Sequence, residues 1–514
     1  MKKMKHAKKL ASLLMVLVMV LGMSVGTTVT AFAANTNAHT ITITNDKSGH
    51  TYTAYQVFAG DISDGKLTNI VWGSGVNGAD VLADLVKLEP YKDCKSAEAV
   101  ADVLAGFRDD SAQLDAFAKV VGAHLATAAG TSTETASPYT ISVTGDGYYF
   151  VKDSGTIGTD DAATKYILKV VGDVTVKAKA ETPSIDKVIV NADRANGGEG
   201  KGTAQDVGSV VNFKLTSKVP AMDGYDTYTY IVNDTMSAGL TFNNDVAVTI
   251  GGEAYTNFTV AQNGQSFTIT FNNFITQKAK AGNAIVITYS ATINEKALTT
   301  DKETNTVNLQ YSNDPNNSDS LGKTPDKTVY VYDFDIVIDK YTGDDADASA
   351  TRLPDAKFVL YKTVDSKKLY YFYNNTTKEV KWIELADDAA VTAAIKAGTI
   401  TEVTTDQSGA AKFQGLDSGT YYLHETEAPA GYNLLKGDVT VTITAKYGDD
   451  GQITSSSATS TDNGQYQQKV QIENKSGTIL PSTGGMGTTL LYIIGAILVV
   501  GAGVLLVARR RMHS

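Results

Sequence analysis

The sequence predicts a mainly β protein: tandem immunoglobulin-like β-sandwich domains behind an α+β N-terminal domain, set between an export leader and a C-terminal membrane helix. Three observations predict this. Short segments such as "HTITITN", "VAVTIGG", "SFTITFNNF", "AIVITYSATI" and "DVTVTITAKY" alternate apolar and polar residues and are separated by Gly, Asn and Asp. That is the period of half-buried strands joined by turns. One zone, 78–130, changes to helical spacing, in "GADVLADLVKL", "AEAVADVLAGF" and "SAQLDAFAKVVGAHL". Both ends of the 514-residue chain carry apolar runs flanked by basic residues.

The leader comes first. Lys2, Lys3, Lys5, Lys8 and Lys9 precede an apolar stretch from Leu10 to Val25, and "TAFAA" supplies a small-residue cleavage site after Ala33 or Ala34. Residues 1–34 therefore read as a secretory signal peptide. At the other end, 490–508 holds no charge, and about 19 apolar residues suffice to cross a bilayer core. Arg509, Arg510 and Arg511 follow at once and place that end in the cytoplasm. The body between them is exported. The chain carries a formal charge of −11, and without its basic ends the body is more acidic still. An acidic surface disfavours nucleic acid and anionic lipid as partners.

Exported proteins usually rely on disulfides, but Cys94 is the only cysteine and cannot form an internal bridge. It reads as a buried or idle thiol, and no motif supports pairing it with His124. Stabilisation must come from elsewhere.

Composition divides the body. "AKAETPSID" around Pro183 reads as one linker, and "NDPNNSDSLGKTPDK" closes a second unit. The expected domains are 35–180 (strands with helices), 181–330 and 331–475 (both antiparallel sandwiches), with 476–514 as a C-terminal tail.

The second and third domains open alike, with "SIDKVIV" and "DIVIDKYTG". Residues two apart on a strand share a face. Ile185, Lys187 and Ile189 therefore point one way, as do Ile336, Ile338 and Lys340. Each lysine lies on an apolar face, where an unpaired charge is costly. An acid joins each set: Tyr230, Val232 and Asp234 align, and so do Tyr421, Leu423 and Glu425. The closing strands add an asparagine: Asn305 aligns with Val307, Leu309 and Tyr311, and Asn474 with Val470 and Ile472. Glu253 is a weaker rival to Asp234. Taken singly, these are buried ion pairs or strand-end residues. Taken as a repeated trio, they suit amide-bond formation. Burial lowers a lysine pKa and raises a carboxyl pKa. A neutral amine attacks the Asn carboxamide while the acid polarises it and shuttles protons, and ammonia leaves. The resulting isopeptide encloses nearly the whole domain and restricts the unfolded chain as a long-loop disulfide would.

Several stretches resemble Gram-positive surface proteins. "LPSTGG", followed by an apolar span and a basic tail, resembles the LPxTG sorting signal. Pro481 presets a bent peptide and Gly484 lets an active site approach the Thr483 carbonyl. The resemblance implies that a sortase grips Leu480 and Pro481, cleaves between Thr483 and Gly484, and passes the Thr483 acyl group to an amine. "YYLHETEAPAGYN" resembles the E-box of pilins in a Cna protein B-type domain. "VNDTMSAGLTF", together with Lys187 and Asn305 toward the two ends of its domain, resembles the isopeptide-forming middle domain of fimbrial subunits. "HTYTAYQVFAGD" and "IVWGSGV" resemble their N-terminal domain. By that resemblance Lys187–Asn305 is assisted by Asp234, and Lys340–Asn474 by Glu425.

Backbone pilins of this kind end their first domain in a lysine motif. The matching stretch "DVTVKAKAE" places Lys179 at that lysine, with Lys177 as rival because Tyr and Pro of the motif are replaced. Some relatives follow that lysine with an Asn that bonds a first-strand lysine. Ala180 stands there instead, so no bond from Lys47 is expected.

The resemblance implies a major pilus subunit, joined Thr483 to Lys179 in a head-to-tail covalent polymer of itself. Its implied partners are a pilin-specific sortase, a housekeeping sortase, minor pilins and peptidoglycan. The alternative is a monomeric wall-anchored adhesin, or a basal or tip pilin. Exposed loops such as "YTGDDADASATRLPD" are candidates for contact with host or bacterial surface ligands. No cofactor or metal is expected. An extracellular enzyme fits poorly: the six histidines are scattered and no H-E-x-x-H, P-loop or G-x-S-x-G occurs.

Overall fold

The computed structural model describes residues 37–477, apart from 109–110, 164, 171, 179–181, 194–197, 344–349 and 461–464, together with four isolated positions between 494 and 502. The signal peptide, Lys179, Ala180, the 480–484 motif and nearly all of the 490–508 span lie outside the described residues. Among the described residues no helix is long and apolar enough to cross a membrane.

The first unit is a small sandwich with helices on one side. One sheet runs in the order Tyr139–Thr144, Ala38–Thr44, Val174–Lys177; the other runs Lys66–Trp72, Tyr52–Ser63, Gly147–Asp153, Lys165–Val170. Tyr52, Ala54, Tyr149 and Val151 face the first sheet. Val57, Phe58, Tyr148 and Phe150 face the helices Gly78–Leu85, Ala97–Ala105 and Ala112–Ala123. Ser96 and Ser111 start the last two helices by accepting hydrogen bonds from the backbone amides of Ala99 and Leu114. Cys94 is buried among these helices. Its Sγ lies 3.5 Å from the Ala99 carbonyl, and burial pushes its pKa up. His124 is turned to Asp84 at 2.7 Å.

The second unit is two facing sheets. One carries Ile185–Asp193, Val210–Lys218 and Ala284–Ile293; the other carries Lys327–Tyr332, Glu303–Ser312, Tyr230–Met236 and Ser266–Phe271. Among the described residues, thirty from Ile185 to Val331 form the core between them. The third unit pairs a sheet around Phe334–Thr342 and Tyr466–Glu473 with one built on Lys357–Val364, Gly419–Glu427 and Val439–Ile443.

Two expectations need correction. The sandwiches are not purely antiparallel: Phe334–Thr342 runs parallel to Tyr466–Glu473, with Lys340 opposite Ile472, and Gly202–Ala204 runs parallel to Lys327–Tyr332. Chain ends that meet inside one sheet after a whole domain has intervened are free to align in either sense. Helix is also not confined to 78–130. Asp388–Ala397 is helical, begun by the Asp387 side chain accepting from the Ala390 amide and ended by Gly398 in the left-handed region.

Candidate isopeptide sites

Each lysine sits on a strand whose alternate residues are core, so the backbone pleat delivers its ammonium inward. Lys187 and Lys340 are fully buried. In the second unit the acid and the amide come from adjacent antiparallel strands of the opposite sheet. Asp234 pairs with Val307 and Met236 with Asn305, so Asp234 and Asn305 are diagonal neighbours on one face. Lys187 reaches across the sandwich to both. Its Nζ donates to Asp234 Oδ2 at 2.7 Å and to Asn305 Oδ1. The rings of Phe213 and Tyr289 stand 5.4 and 5.5 Å from Nζ.

Burial pulls the Lys187 pKa down to about 8, with Asp234 opposing. Burial pushes the Asp234 carboxyl up, with Lys187 and Tyr289 opposing. Both shifts move the pair toward the neutral amine and neutral acid that acyl transfer to the amine requires. Asp234 Oδ1 has no hydrogen-bond partner.

In the third unit the lysine and the amide lie in the same sheet. The parallel register sets Lys340 beside Ile472, and Asn474 follows two residues on. Lys340 Nζ donates to Asn474 Oδ1 and to the Ile472 carbonyl at 3.2 Å. Glu425, opposite Phe358 in the facing sheet, brings Oε1 to 3.6 Å from Nζ. Its Oε2 accepts from Asn474 Nδ2 at 3.3 Å and from the Leu435 amide at 2.8 Å. Asn474 Nδ2 also donates to the Asn433 carbonyl at 3.0 Å. Burial again pulls the lysine down to about 8, opposed by Glu425.

The structure thus gathers the six residues into two separate trios. It leaves Glu253 outside, exposed and 3.7 Å from Lys280. Sequence reasoning missed Tyr289. It lies on the Ala284–Ile293 strand, buried, with its hydroxyl between Asp234 and Asn305. A tyrosine on an otherwise apolar strand face needs a partner for its hydroxyl in the core, and that was the available signal.

Of the two candidate joining lysines, Lys177 is described. It is largely exposed and 2.8 Å from Asp46. The neighbouring Ala178 is buried, and its amide bonds the Thr44 carbonyl at 2.8 Å. Lys47 is exposed and 2.5 Å from Asp160. Among the described residues no group of His, Cys, Asp and Glu could hold a metal ion.

Sandwich units with buried lysine–acid–amide clusters, ahead of an anchor-like tail, define a class of wall-anchored surface protein. Comparisons with known proteins narrow the class. Residues 207–315 match the Gram-positive pilin backbone subunit 2, Cna-B-like domain. Residues 339–460 match the SpaA prealbumin-like fold domain, and 472–514 match the LPXTG cell wall anchor motif. The chain therefore carries a Gram-positive pilin backbone domain, a prealbumin-like fold domain and an LPXTG anchor motif. It is 27% identical over 363 residues to fimbrial subunit type 2 of Actinomyces naeslundii, covering 66% of this chain and 62% of that protein. It is 26% identical over 425 residues to the trypsin-resistant surface T6 protein of Streptococcus pyogenes serotype M6, covering 66% and 70%. The structure of the T6 backbone pilin of that serotype superposes with a TM-score of 0.50 at 19% identity, covering 86% of this chain and 99% of that one, which shows the shared fold.

Proposed function

We propose that this chain is the major structural subunit of a sortase-assembled pilus, covalently polymerised and anchored to the Gram-positive cell wall. A sortase joins the Thr483 carbonyl of one copy to Lys179 of the next, with Lys177 the rival acceptor. A head-to-tail contact of this kind propagates into a filament rather than closing a ring. The 490–508 span holds the precursor in the membrane until cleavage. A housekeeping sortase then transfers the finished polymer to peptidoglycan, and minor pilins complete it. Units 181–330 and 331–475 are each closed by a self-formed bond, Lys187–Asn305 and Lys340–Asn474, assisted by Asp234 and Glu425. The chain processes itself and turns over no substrate.

The observation that carries this reading is the repetition of one buried trio in two units, each linking an opening strand to a closing one. A single lysine of this kind is an ordinary buried ion pair. Two of them in a chain with one cysteine make a system of staples.

The test is an immunoblot of boiled, reduced cell-wall extracts from wild type, Lys179→Ala and Lys177→Ala. A ladder of covalent multimers lost only in Lys179→Ala is the expected result. Loss only in Lys177→Ala moves the joint two residues back, to Lys177. A single wall-linked band in all three overturns the polymer and makes the protein a monomeric anchored adhesin.

A further inference from the structure

We infer that Tyr289 takes part in closing the Lys187–Asn305 bond, carrying a proton between Asp234 and the departing nitrogen of Asn305. This inference rests on the isopeptide reading above. The two trios contain the same chemistry, but their acids meet the leaving group differently. In the third unit, Asn474 Nδ2 donates directly to Glu425 Oε2 at 3.3 Å. In the second, Asn305 Nδ2 donates to the Tyr289 hydroxyl at 3.2 Å, and that hydroxyl donates to Asp234 Oδ2 at 2.6 Å. Asp234 spends the same oxygen on Lys187 at 2.7 Å. The tyrosine spans the path that the longer glutamate covers unaided: Asp is one methylene shorter than Glu.

Packing supports a dedicated role. The Tyr289 ring is held by Phe213, Phe242 and Phe267 at centroid distances of 5.4, 6.0 and 5.2 Å. Those contacts fix the ring but leave the hydroxyl to be placed, and both its donor and its acceptor capacity are spent on groups of the reaction. The step balances. The neutral Lys187 amine attacks Asn305 Cγ, forming the Nζ–Cγ bond. Asp234 gives its proton to Tyr289 as Tyr289 passes its hydroxyl proton to Nδ2, and the Asp234 carboxylate so formed takes a proton from Nζ. The Cγ–Nδ2 bond breaks, ammonia leaves, and acid and phenol return to their starting states.

The test is cell-free synthesis of the full chain, sampled over time, with intact mass and peptide mapping reporting each bond. Wild type is expected to lose two ammonia masses. Tyr289→Phe is expected to form Lys340–Asn474 at the wild-type rate and Lys187–Asn305 at least about 100-fold more slowly. Equal rates for Lys187–Asn305 in wild type and Tyr289→Phe overturn the relay and leave the isopeptide reading standing. A wild type that keeps both ammonia masses overturns that reading, and the relay with it. 3-Fluorotyrosine at 289 keeps the ring and hydroxyl while acidifying the phenol. It is expected to shift the pH profile of Lys187–Asn305 formation, and a profile that coincides with wild type counts against the relay even if Tyr289→Phe misfolds.

Discussion

At the scale of single residues, the acids decide whether the buried lysines are an expense or a reaction. An amine with a pKa near 8 is neutral in about one molecule in ten at pH 7. That fraction is ample for the proposed amide-forming step, which is irreversible once ammonia is lost. Asp234→Ala and Glu425→Ala are each expected to retain one ammonia of mass relative to wild type, and the double variant two. Intact-mass spectrometry reads this directly, and an unchanged mass in either single variant removes that acid from the chemistry. The six trio residues were legible because strand alternation alone puts a lysine, an acid and an asparagine on faces otherwise filled by Ile, Val and Tyr. Tyr289 was not. Its face reads Ile285, Ile287, Tyr289, Ala291, Ile293, which is core by any pattern rule, and only the apposition of two sheets brings its hydroxyl to Asp234. Glu253 shows the converse: an acid near the right place in sequence, turned to solvent by a two-residue strand.

At the scale of elements, strands and the 78–123 helices follow from local periodicity, whereas the joints between units do not. Asp387 and Gly398 bound a ten-residue helix that stands alone among strands, with no neighbouring helical segments to mark it as 78–123 is marked. The segment after Gly202–Ala204 packs on the third unit. The Val207 amide bonds Gly415 at 2.9 Å, its carbonyl accepts from Val380 at 2.8 Å, and Asp206 accepts from Trp382 Nε1 at 2.8 Å. Such pairing is tertiary and leaves no pattern in the chain. Asp333 lies in this joint between Tyr332 and Phe334, all three buried, and its Oδ2 has no partner. Burial, with Asp335 and Glu303 nearby, holds its carboxyl well above the ordinary range. The folded state therefore keeps a proton that the unfolded chain releases, so its stabilising effect is complete below the ordinary Asp value. It falls as pH rises from there through the raised one. Asp333→Asn removes the slope. Its denaturant midpoint is expected to exceed that of wild type at pH 7 and to converge with it near pH 4. Parallel midpoint curves for the two proteins across that range contradict the assignment.

At the scale of the whole molecule, the three units are unequally secured. The second and third share backbone hydrogen bonds and a buried joint, and each has a trio linking positions 118 and 134 residues apart. The first meets the second mainly through polar contacts: Lys119 with Asp226 at 2.5 Å and Lys278 with Asp115. Backbone bonds from Ala163 to Asn313 and from Lys323 to Thr159 add to these. Exposed ion pairs contribute about 0–1 kcal/mol each, so this joint does little to make the first unit unfold with its neighbours. Its own ends are tied by the parallel pairing of Ala38–Thr44 with Val174–Lys177, and Lys47 faces Asp160 rather than an amide. A covalent closure of a loop of about 100 residues is worth about 4–5 kcal/mol through the unfolded chain. In a unit of this size that corresponds to about 10–20 °C in melting temperature. Scanning calorimetry of the mature protein is expected to show a first, lower transition belonging to the N-terminal unit. Lys187→Ala and Lys340→Ala should each lower one of the later transitions by about 10–20 °C and leave the first in place. Limited proteolysis should cut before residue 180 ahead of any later site. A lower transition that moves with either lysine variant would mean that the first unit unfolds together with the other two, and that the polar joint couples them more strongly than exposed ion pairs account for.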